Sequence, residues 1–241
     1  LRPGLLLTHQ LALNTATPQP RRTGVLILAA GAGRRMGGRA KCLLEVQGQS
    51  LLDRLVRSVR TLGLCNPVLV LGHHAAEIQA HLAQWPAHLA PRQVINPMPE
   101  DDPAPSLHIG LRALGNDVHA VMVLLADQPL INAADIGAVL HAFQRRPSDC
   151  QLVVPMVNGV PGHPVVFDVA VRADLLGAPG TSLRQWRAAH PQATMPWVVD
   201  NPHHTRDLDT PDDVHTLARD TGWVCRWPEP ATGVNTDPAS T

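Results

Sequence analysis

The sequence predicts a Rossmann-like α/β fold in three α/β/α layers, with helices on both faces of a mostly parallel β-sheet. Short, continuous apolar runs recur along the chain, as buried strands of a parallel sheet require. Segments with helical apolar spacing separate these runs, which is the alternation that builds such a sheet. With 241 residues, of which 44% are hydrophobic, the chain is long enough for one large domain.

The elements of the first half alternate regularly. Val25 to Leu28 is the first predicted strand, and Ser50 is the predicted N-cap of a helix that ends at Gly63. The following strand, helix, short strand, helix and central strand are predicted at residues 67–71, 75–84, 93–95, 106–114 and 120–125. Asn132 is the predicted cap of the next helix.

The second half continues with a strand at 152–156, an apolar strand ending near Phe167, a helix at 181–189 and a strand at 195–199. Thr210, followed by Pro211 and two acidic residues, predicts the start of a last helix. We expect one domain over residues 23–222, preceded by an irregular extension (1–22) and followed by an irregular tail (223–241).

The loop after the first strand carries the strongest functional signal. Its glycines let the backbone take positive φ and approach a ligand, while its cations suit phosphate oxygens. These residues are Gly31, Gly33, Gly37 and Gly38 together with Arg34, Arg35, Arg39 and Lys41. The loop therefore predicts a triphosphate site.

Three other interpretations of this loop carry less weight. A dinucleotide-binding GxGxxG loop should open a helix at once, whereas the next predicted helix begins only near Ser50. The P-loop pattern fails because Cys42 follows Lys41 and no glycine precedes it. A plain surface turn needs neither so many glycines nor so much positive charge.

Carboxylates follow at two places where they can serve such a site. Asp127 comes directly after the central strand, at the sheet edge where α/β folds bind ligands. A carboxylate there can hold Mg²⁺ together with substrate phosphates, whereas a helix-capping role is better filled by Asn132. Asp207 and Asp209 alternate around Leu208, so one or both can complete a metal site.

The segment from Val160 to Phe167 admits two interpretations. Gly162 and the His163-Pro164 pair, leading into an apolar strand, indicate backbone that approaches a ligand. An Asn158-Gly159 hairpin explains the same spacing. Spacing alone leaves both open.

Composition excludes several classes of partner. The formal net charge is zero, whereas nucleic-acid binding normally leaves a basic surplus. No apolar run approaches the roughly 20 residues of a membrane span. The four cysteines lack metal-site or disulfide-framework spacing, so we expect a soluble, cytoplasmic protein with reduced thiols.

In their order and separation, four motifs resemble the molybdenum cofactor cytidylyltransferases, within the MobA-like and sugar-nucleotide-type nucleotidyltransferases. They are LAAGAGRRMGGRAK (28–41), LADQP (125–129), GHPVVF (162–167) and DLDTPDD (207–213). The resemblance spans about residues 24–220 and implies the nucleotide-diphospho-sugar transferase type of fold. It implies Mg²⁺-dependent transfer of CMP from CTP to the molybdenum–molybdopterin cofactor, with a molybdenum hydroxylase as recipient of the product.

The resemblance also implies roles for individual residues. Lys41, Arg35 and Asp127 would be catalytic, and Asp127, Asp207 and Asp209 would hold the metal. Gly162, His163 and Pro164 would bind the acceptor. The nucleotide would contact Leu28, Ala29, Ala30, Gly31, Gly33, Arg34, Arg35, Lys41 and Ser106. Relatives that transfer GMP tend to have a glycine at the position of Ala30, so the alanine favours CTP.

One segment departs from the family pattern. Where relatives have a Gly-Met-Ser-Ser-like turn, this chain reads EDDPAPS over residues 100–106, so only Ser106 remains. Two alternatives therefore stay open: a nucleotidyltransferase for another small phosphorylated acceptor, and a non-catalytic carrier or chaperone of the cofactor.

Overall fold

The computed structural model describes residues 22–99 and 102–228. The α-helices are α1 (Leu51–Thr61), α2 (Ala75–Leu82), α3 (Ala104–Ala113), α4 (Ala133–Gln144), α5 (Val169–Gly177), α6 (Leu183–Ala189) and α7 (Pro211–Thr221). The strands are β1 (Thr23–Ala29), β2 (Glu45–Val46), β3 (Gln49–Ser50), β4 (Val68–Leu71), β5 (Arg92–Ile95), β6 (Ala120–Leu125), β7 (Leu152–Val157), β8 (Val160–Pro161), β9 (Val165–Asp168), β10 (Thr194–Val198) and β11 (Cys225–Arg226).

The main sheet has eight strands and is mostly parallel, which confirms the predicted fold class. Its order is β10-β7-β9-β6-β1-β4-β5, with β8 paired to the side of β7. Strand β9 runs antiparallel to both β6 and β7, whereas the β10–β7, β6–β1, β1–β4 and β4–β5 pairs are parallel. The carboxyl ends of β1, β4 and β6 therefore meet at one edge of the sheet.

Two apolar cores, one on each face of the sheet, create the three layers. Alternate side chains of one strand enter opposite cores, as the pleat requires: Ile27 packs with α1, α2 and α4, whereas Leu26 packs with α3, α5 and α6. Both side chains are 0% exposed. Each face buries enough apolar surface to fix the register of the central strands.

The predicted helix starts at Ser50, Asn132 and Thr210 are confirmed. Each side chain accepts backbone N–H groups of the first helical turn, which satisfies donors that would otherwise lack partners. Because Asn132 caps α4, the capping explanation for Asp127 is unnecessary. Thr210 and Asp213 cap α7 reciprocally.

The structure differs from the sequence expectations at several elements; strands β2 and β3, for example, were not predicted. Helix α5 was not predicted; it follows β9 directly and buries only Val171 and Leu175, too few positions for a visible helical period. Helix α6 begins at Leu183 behind its cap Ser182, two residues later than predicted. In the segment predicted as an irregular tail, Cys225–Arg226 forms β11. The remainder of that tail (229–241) and residues 1–21 of the predicted N-terminal extension lie outside the described residues.

A small second sheet anchors the end of the domain beside the glycine loop. Its order is β11-β2-β3, and its cluster buries Leu44, Val46 and Leu208 with Trp223 and Trp227 alongside. Since Leu208 is 0% exposed, the flanking aspartates are held in place by core packing. Across the described ranges, no helix has the length and apolar character needed to cross a membrane.

Candidate active site

The glycine loop folds back on itself through Gly33. This residue has φ 61°, and a Cβ atom there would lie 2.1 Å from the carbonyl oxygen of Arg39, so only glycine fits. Gly37 and Gly38 also have positive φ, but Gly31 does not, which corrects the expectation for that glycine. Two 3₁₀ turns that sequence reasoning missed, Arg34–Met36 and Lys41–Leu43, follow within the loop.

Backbone hydrogen bonds join the loop strand to the first acidic segment, and the first acidic segment to the second. The amide of Ala126 donates to Leu28 O (3.1 Å), which fixes the end of β6 beside the end of β1. The amide of Leu208 donates to Asp127 O (3.1 Å). Three segments distant in sequence therefore meet at the carboxyl edge of the sheet, as strand-end motifs of an α/β fold should.

Lys41 lies at the centre of this junction. Its Nζ atom is 2.5 Å from Asp127 Oδ2 and 2.9 Å from Asp209 Oδ1. Arg35 donates through a guanidinium N–H to the other oxygen of Asp209, at 2.9 Å. The structure thus brings together all three residues predicted to be catalytic, and Asp209 is the shared partner of Lys41 and Arg35. Lys41 is also the one lysine of the 241-residue sequence.

The charges of this cluster support one another. Burial alone would lower the pKa of Lys41. The charges and hydrogen bonds of Asp127 and Asp209 have the larger combined effect, so the pKa of Lys41 is raised above its usual value. The hydrogen bond from Lys41, aided by Arg35, holds the pKa of Asp209 below its usual range. Lys41 and Asp209 are therefore charged at neutral pH and form a compact ionic pair within the cluster.

Asp207 occupies a different environment from Asp209. Its Oδ1 accepts a hydrogen bond from Gln128 Nε2 at 2.9 Å. Desolvation, followed by the nearby negative charge of Asp127, raises the pKa of Asp207 to about 6. The alternation around Leu208 predicted from sequence is present, but the two aspartates bind different partners.

Asp127, Asp207 and Asp209 carry the oxygen donors that a hard divalent cation prefers. In the part of the chain that the structure describes, however, no three His, Cys, Asp or Glu side chains are arranged to hold a metal ion. Two of these aspartates instead bind the ammonium group of Lys41. The oxygen donors of these aspartates fit a magnesium ion. The ammonium group of Lys41 lies between two of the carboxylates.

The Gly162 segment contains the hairpin that its sequence allows, and its close backbone approach is to another segment of the protein. Asn158 and Gly159, with φ of 50° and 80°, form the two-residue turn between β7 and β8. A Cβ atom at Gly162 would lie 2.3 Å from the carbonyl oxygen of His204, so the backbone here packs tightly. His163 donates its amide to that same oxygen at 2.8 Å.

His163 lines a groove with a volume of 1180 Å³ that is also bordered by Leu28 and Leu125. Desolvation, with the charge of Arg187 nearby, lowers the pKa of His163 to about 4. Its imidazole is therefore neutral at physiological pH. Gly162 belongs to the same wall, whereas Pro164 is buried behind it.

The remaining predicted nucleotide contacts divide into two groups. Gly31, Gly33, Arg34, Arg35 and Lys41 line an open hollow of 380 Å³ that Asp209 also borders; Leu28, Ala29 and Gly31 line a smaller one beside it. Ser106 does not face these hollows: it is 5% exposed, and its hydroxyl accepts the Asn96 side-chain amide at 3.0 Å. Residues 100 and 101 of the departing segment lie outside the described residues.

Several residues that support the site were missed by sequence reasoning. The side-chain amide of Gln128 donates to Asp207 and to the carbonyl oxygen of His204, the latter at 3.0 Å. The position of Gln128 within the LADQP motif could have indicated that it belongs to the site. His74 Nε2 lies 3.0 Å from the carbonyl oxygen of Ala32 and steadies the loop. No sequence pattern pointed to His204, which is 1% exposed.

A glycine loop with cations, facing strand-end aspartates in a three-layer α/β fold, defines a nucleotidyltransferase. The chain belongs to the family described as the MobA-like NTP transferase domain, whose model matches residues 25–194. It is accordingly a nucleotidyltransferase of the MobA-like family.

Individual proteins resemble the chain over most of its length. It is 29% identical over 212 residues to nicotine blue oxidoreductase of Paenarthrobacter nicotinovorans, covering 83% of this chain and 95% of that protein. The fold is similar to Rv0371c of Mycobacterium tuberculosis (TM-score 0.67, 22% identity, 83% and 98% covered), a protein also solved in complex with manganese. It is also similar to molybdopterin-guanine dinucleotide biosynthesis protein A of Archaeoglobus fulgidus (TM-score 0.60, 15% identity, 83% and 98% covered).

Proposed function

We propose that the protein transfers CMP from CTP to the terminal phosphate of the molybdenum–molybdopterin cofactor. The products would be pyrophosphate and molybdopterin cytosine dinucleotide, for delivery to a molybdenum hydroxylase. The observation that carries this proposal is the position of Lys41, between the glycine loop and the strand-end Asp127 (Nζ to Oδ2, 2.5 Å).

The site has the charges that nucleotidyl transfer needs. A phosphate oxygen of the acceptor attacks the α-phosphorus of the nucleotide, a new P–O bond forms, and the bond to the bridging oxygen of the pyrophosphate breaks. Because both reactants are anions, catalysis depends on positioning and charge neutralisation. Arg35 and Lys41 would contact the triphosphate, and no protein base is required because the attacking phosphate is already ionised.

Asp127 and Asp209 would hold a magnesium ion, with Asp207 beside them. The ion would neutralise charge on the phosphates of the bound nucleotide. For this, Lys41 exchanges carboxylate contacts for phosphate oxygens when nucleotide binds, and the aspartates become available to the cation. In the nucleotide-free protein, Lys41 thus keeps these like-charged carboxylates paired.

The preference for CTP rests on Ala30 and its neighbour. Family members that transfer GMP tend to have glycine at this position. Here a Cβ atom at Gly72 would lie 2.5 Å from the Ala30 carbonyl oxygen and 2.8 Å from both its Cα and its Cβ, so the loop packs against Gly72 through the backbone as well as the side chain of Ala30. Gly72→Ala should therefore disturb the loop and weaken CTP binding.

Pyrophosphate release tests the proposal directly. The purified protein is given molybdenum-loaded molybdopterin, Mg²⁺ and CTP, GTP, ATP or UTP in turn. We expect release with CTP, its loss in Lys41→Ala, and normal release in Arg57→Gln, which removes an exposed cation of α1 outside the site. Release with another nucleotide alone would refute the base choice, and release only with a different phosphorylated acceptor would refute the cofactor as substrate. Cofactor binding without release would indicate a carrier.

A second candidate function is oxidoreduction, favoured by the match to nicotine blue oxidoreductase over 95% of that protein. The cationic loop could bind the phosphates of a nicotinamide cofactor as well as those of CTP. Absorbance decay of NADH or NADPH with nicotine blue measures this activity. Decay without any pyrophosphate release in the first assay would replace the proposed transfer with reduction.

A further inference from the structure

The 1180 Å³ groove is lined both by residues next to the proposed reaction centre and by helix α6. Leu28 and Leu125 line it, and Leu28 also lines the small hollow that contains Lys41 and Asp127. Helix α6 contributes Arg184 and Arg187 to the same groove. The groove therefore adjoins the proposed reaction centre and contains a pair of arginines.

Neither arginine has a hydrogen-bond or ion-pair partner among the residues that the structure describes. They are three residues apart on α6 and so share a helix face. Within residues 22–99 and 102–228, no hydrogen bond or ion pair joins either guanidinium to another side chain or to the backbone. By comparison, Arg35, Arg146 and Arg206 all have carboxylate partners.

The placement of Arg187 is costly without an anion. It is half-buried, whereas Arg184 is exposed. Burial and then the charge of Arg184 lower the pKa of Arg187, as expected for like charges that lie close together. The carboxylate of Asp102 also lines the groove but accepts the backbone amide of Ala104 at 2.9 Å.

Much of the rest of the groove lining is uncharged. Leu107, Val123 and Val165 belong to it, and His163 adds a neutral imidazole. A ligand that fits this groove has an apolar or flat body and an anionic group that reaches α6. Guanidinium groups bind oxyanions through paired N–H donors, which a single lysine cannot do.

We propose that Arg184 and Arg187 form an anion subsite that binds a second anionic group of the acceptor, separate from the phosphate that attacks the nucleotide. This inference rests on the proposed function for the identity of the acceptor. It assigns the selection of acceptor to α6 and the binding of nucleotide to the glycine loop. In the molybdenum–molybdopterin cofactor, this second anionic group would be the molybdenum with its oxygen ligands.

Steady-state kinetics tests this assignment in the full chain. We expect Arg184→Gln/Arg187→Gln to raise the KM for the molybdenum-loaded cofactor by about 10- to 100-fold, the range for lost hydrogen bonds to a charged group. The KM for CTP should change less than about twofold, and Arg57→Gln should change neither. An unchanged acceptor KM in the double variant, with pyrophosphate still released, would overturn the subsite and leave the proposed function standing.

Calorimetric titration with molybdate tests the subsite without turnover. Molybdate is a tetrahedral oxyanion that either cationic site could bind, so Lys41→Ala serves as the matched variant at the glycine loop. We expect Lys41→Ala to retain a binding component that Arg184→Gln/Arg187→Gln loses. If the double variant binds molybdate as the unaltered protein does, the subsite is refuted, whether or not any acceptor supports pyrophosphate release.

Discussion

The replacement of Lys41 by methionine separates the structural role of the ammonium group from its catalytic role. Methionine keeps most of the side-chain length but removes the charge between Asp127 and Asp209. The exposed fractions of these three side chains are 16%, 23% and 42%, so the network is neither fully buried nor on the open surface. Breaking a buried pair costs about 3–5 kcal/mol, whereas exposed pairs contribute about 0–1 kcal/mol.

We expect Lys41→Met to lower the free energy of unfolding by about 1–3 kcal/mol, between these limits. The loss should depend on pH. The pKa of Asp209 is depressed in the folded state, so its stabilising contribution is present above the unfolded pKa near 4 and disappears as the pH falls through the folded value. The difference between the two proteins should be largest near pH 6–7 and shrink toward pH 3.

Urea denaturation across this pH range measures the first effect, and pyrophosphate release measures the second. Loss of one preorganised charge contact at the reacting phosphates should reduce kcat by about 10²–10³-fold. Equal stability and equal turnover in Lys41→Met and the unaltered protein would refute the reasoning. A stability loss with normal turnover would retain the ionic network but remove Lys41 from the reaction.

Three further predictions test the site and the structure around it. Asp127→Asn should abolish metal-dependent turnover while circular dichroism stays that of the folded protein; normal turnover would remove Asp127 from the site. Gly33→Ala should destabilise the protein by about 1–3 kcal/mol because its φ is positive and a Cβ would overlap a backbone carbonyl, whereas the melting temperature of Gly31→Ala, which has open space, should stay unchanged. The hydrogen bond to Asp53 (2.8 Å) raises the pKa of His81. His81→Gln should therefore destabilise the protein by about 1 kcal/mol below pH 6.5, and progressively less as the pH rises through the raised pKa. A stability difference in urea denaturation that does not depend on pH would contradict this.

The sequence was sufficient for the parts of the structure that depend on local signals. Apolar runs predicted the central strands, and residues such as Ser50 and Asn132 marked helix starts through their capping chemistry. Asp127 could be placed at the sheet edge because a residue directly after a buried parallel strand has little choice of position.

Contacts between distant segments could not be predicted in the same way. Nothing local indicates that Asp209 reaches Lys41 and Arg35, because this depends on how Leu208 packs under the small second sheet. The antiparallel direction of β9 and the short helix α5 are likewise set by tertiary packing. Arg184 and Arg187, which lack partners within the described part of the chain, look in sequence like an ordinary solvated helix face.

The occurrence of one lysine in the sequence gives the site a built-in chemical reporter. Lys41 carries the one lysine side-chain amine of these 241 residues, so the mass of one peptide records how far an amine-selective reagent has modified the proposed reaction centre. The raised pKa of Lys41 and its two carboxylate partners make this amine a slow nucleophile in the free protein. Changes in its labelling rate therefore follow the exchange of carboxylates for phosphates at one atom, without any engineered probe.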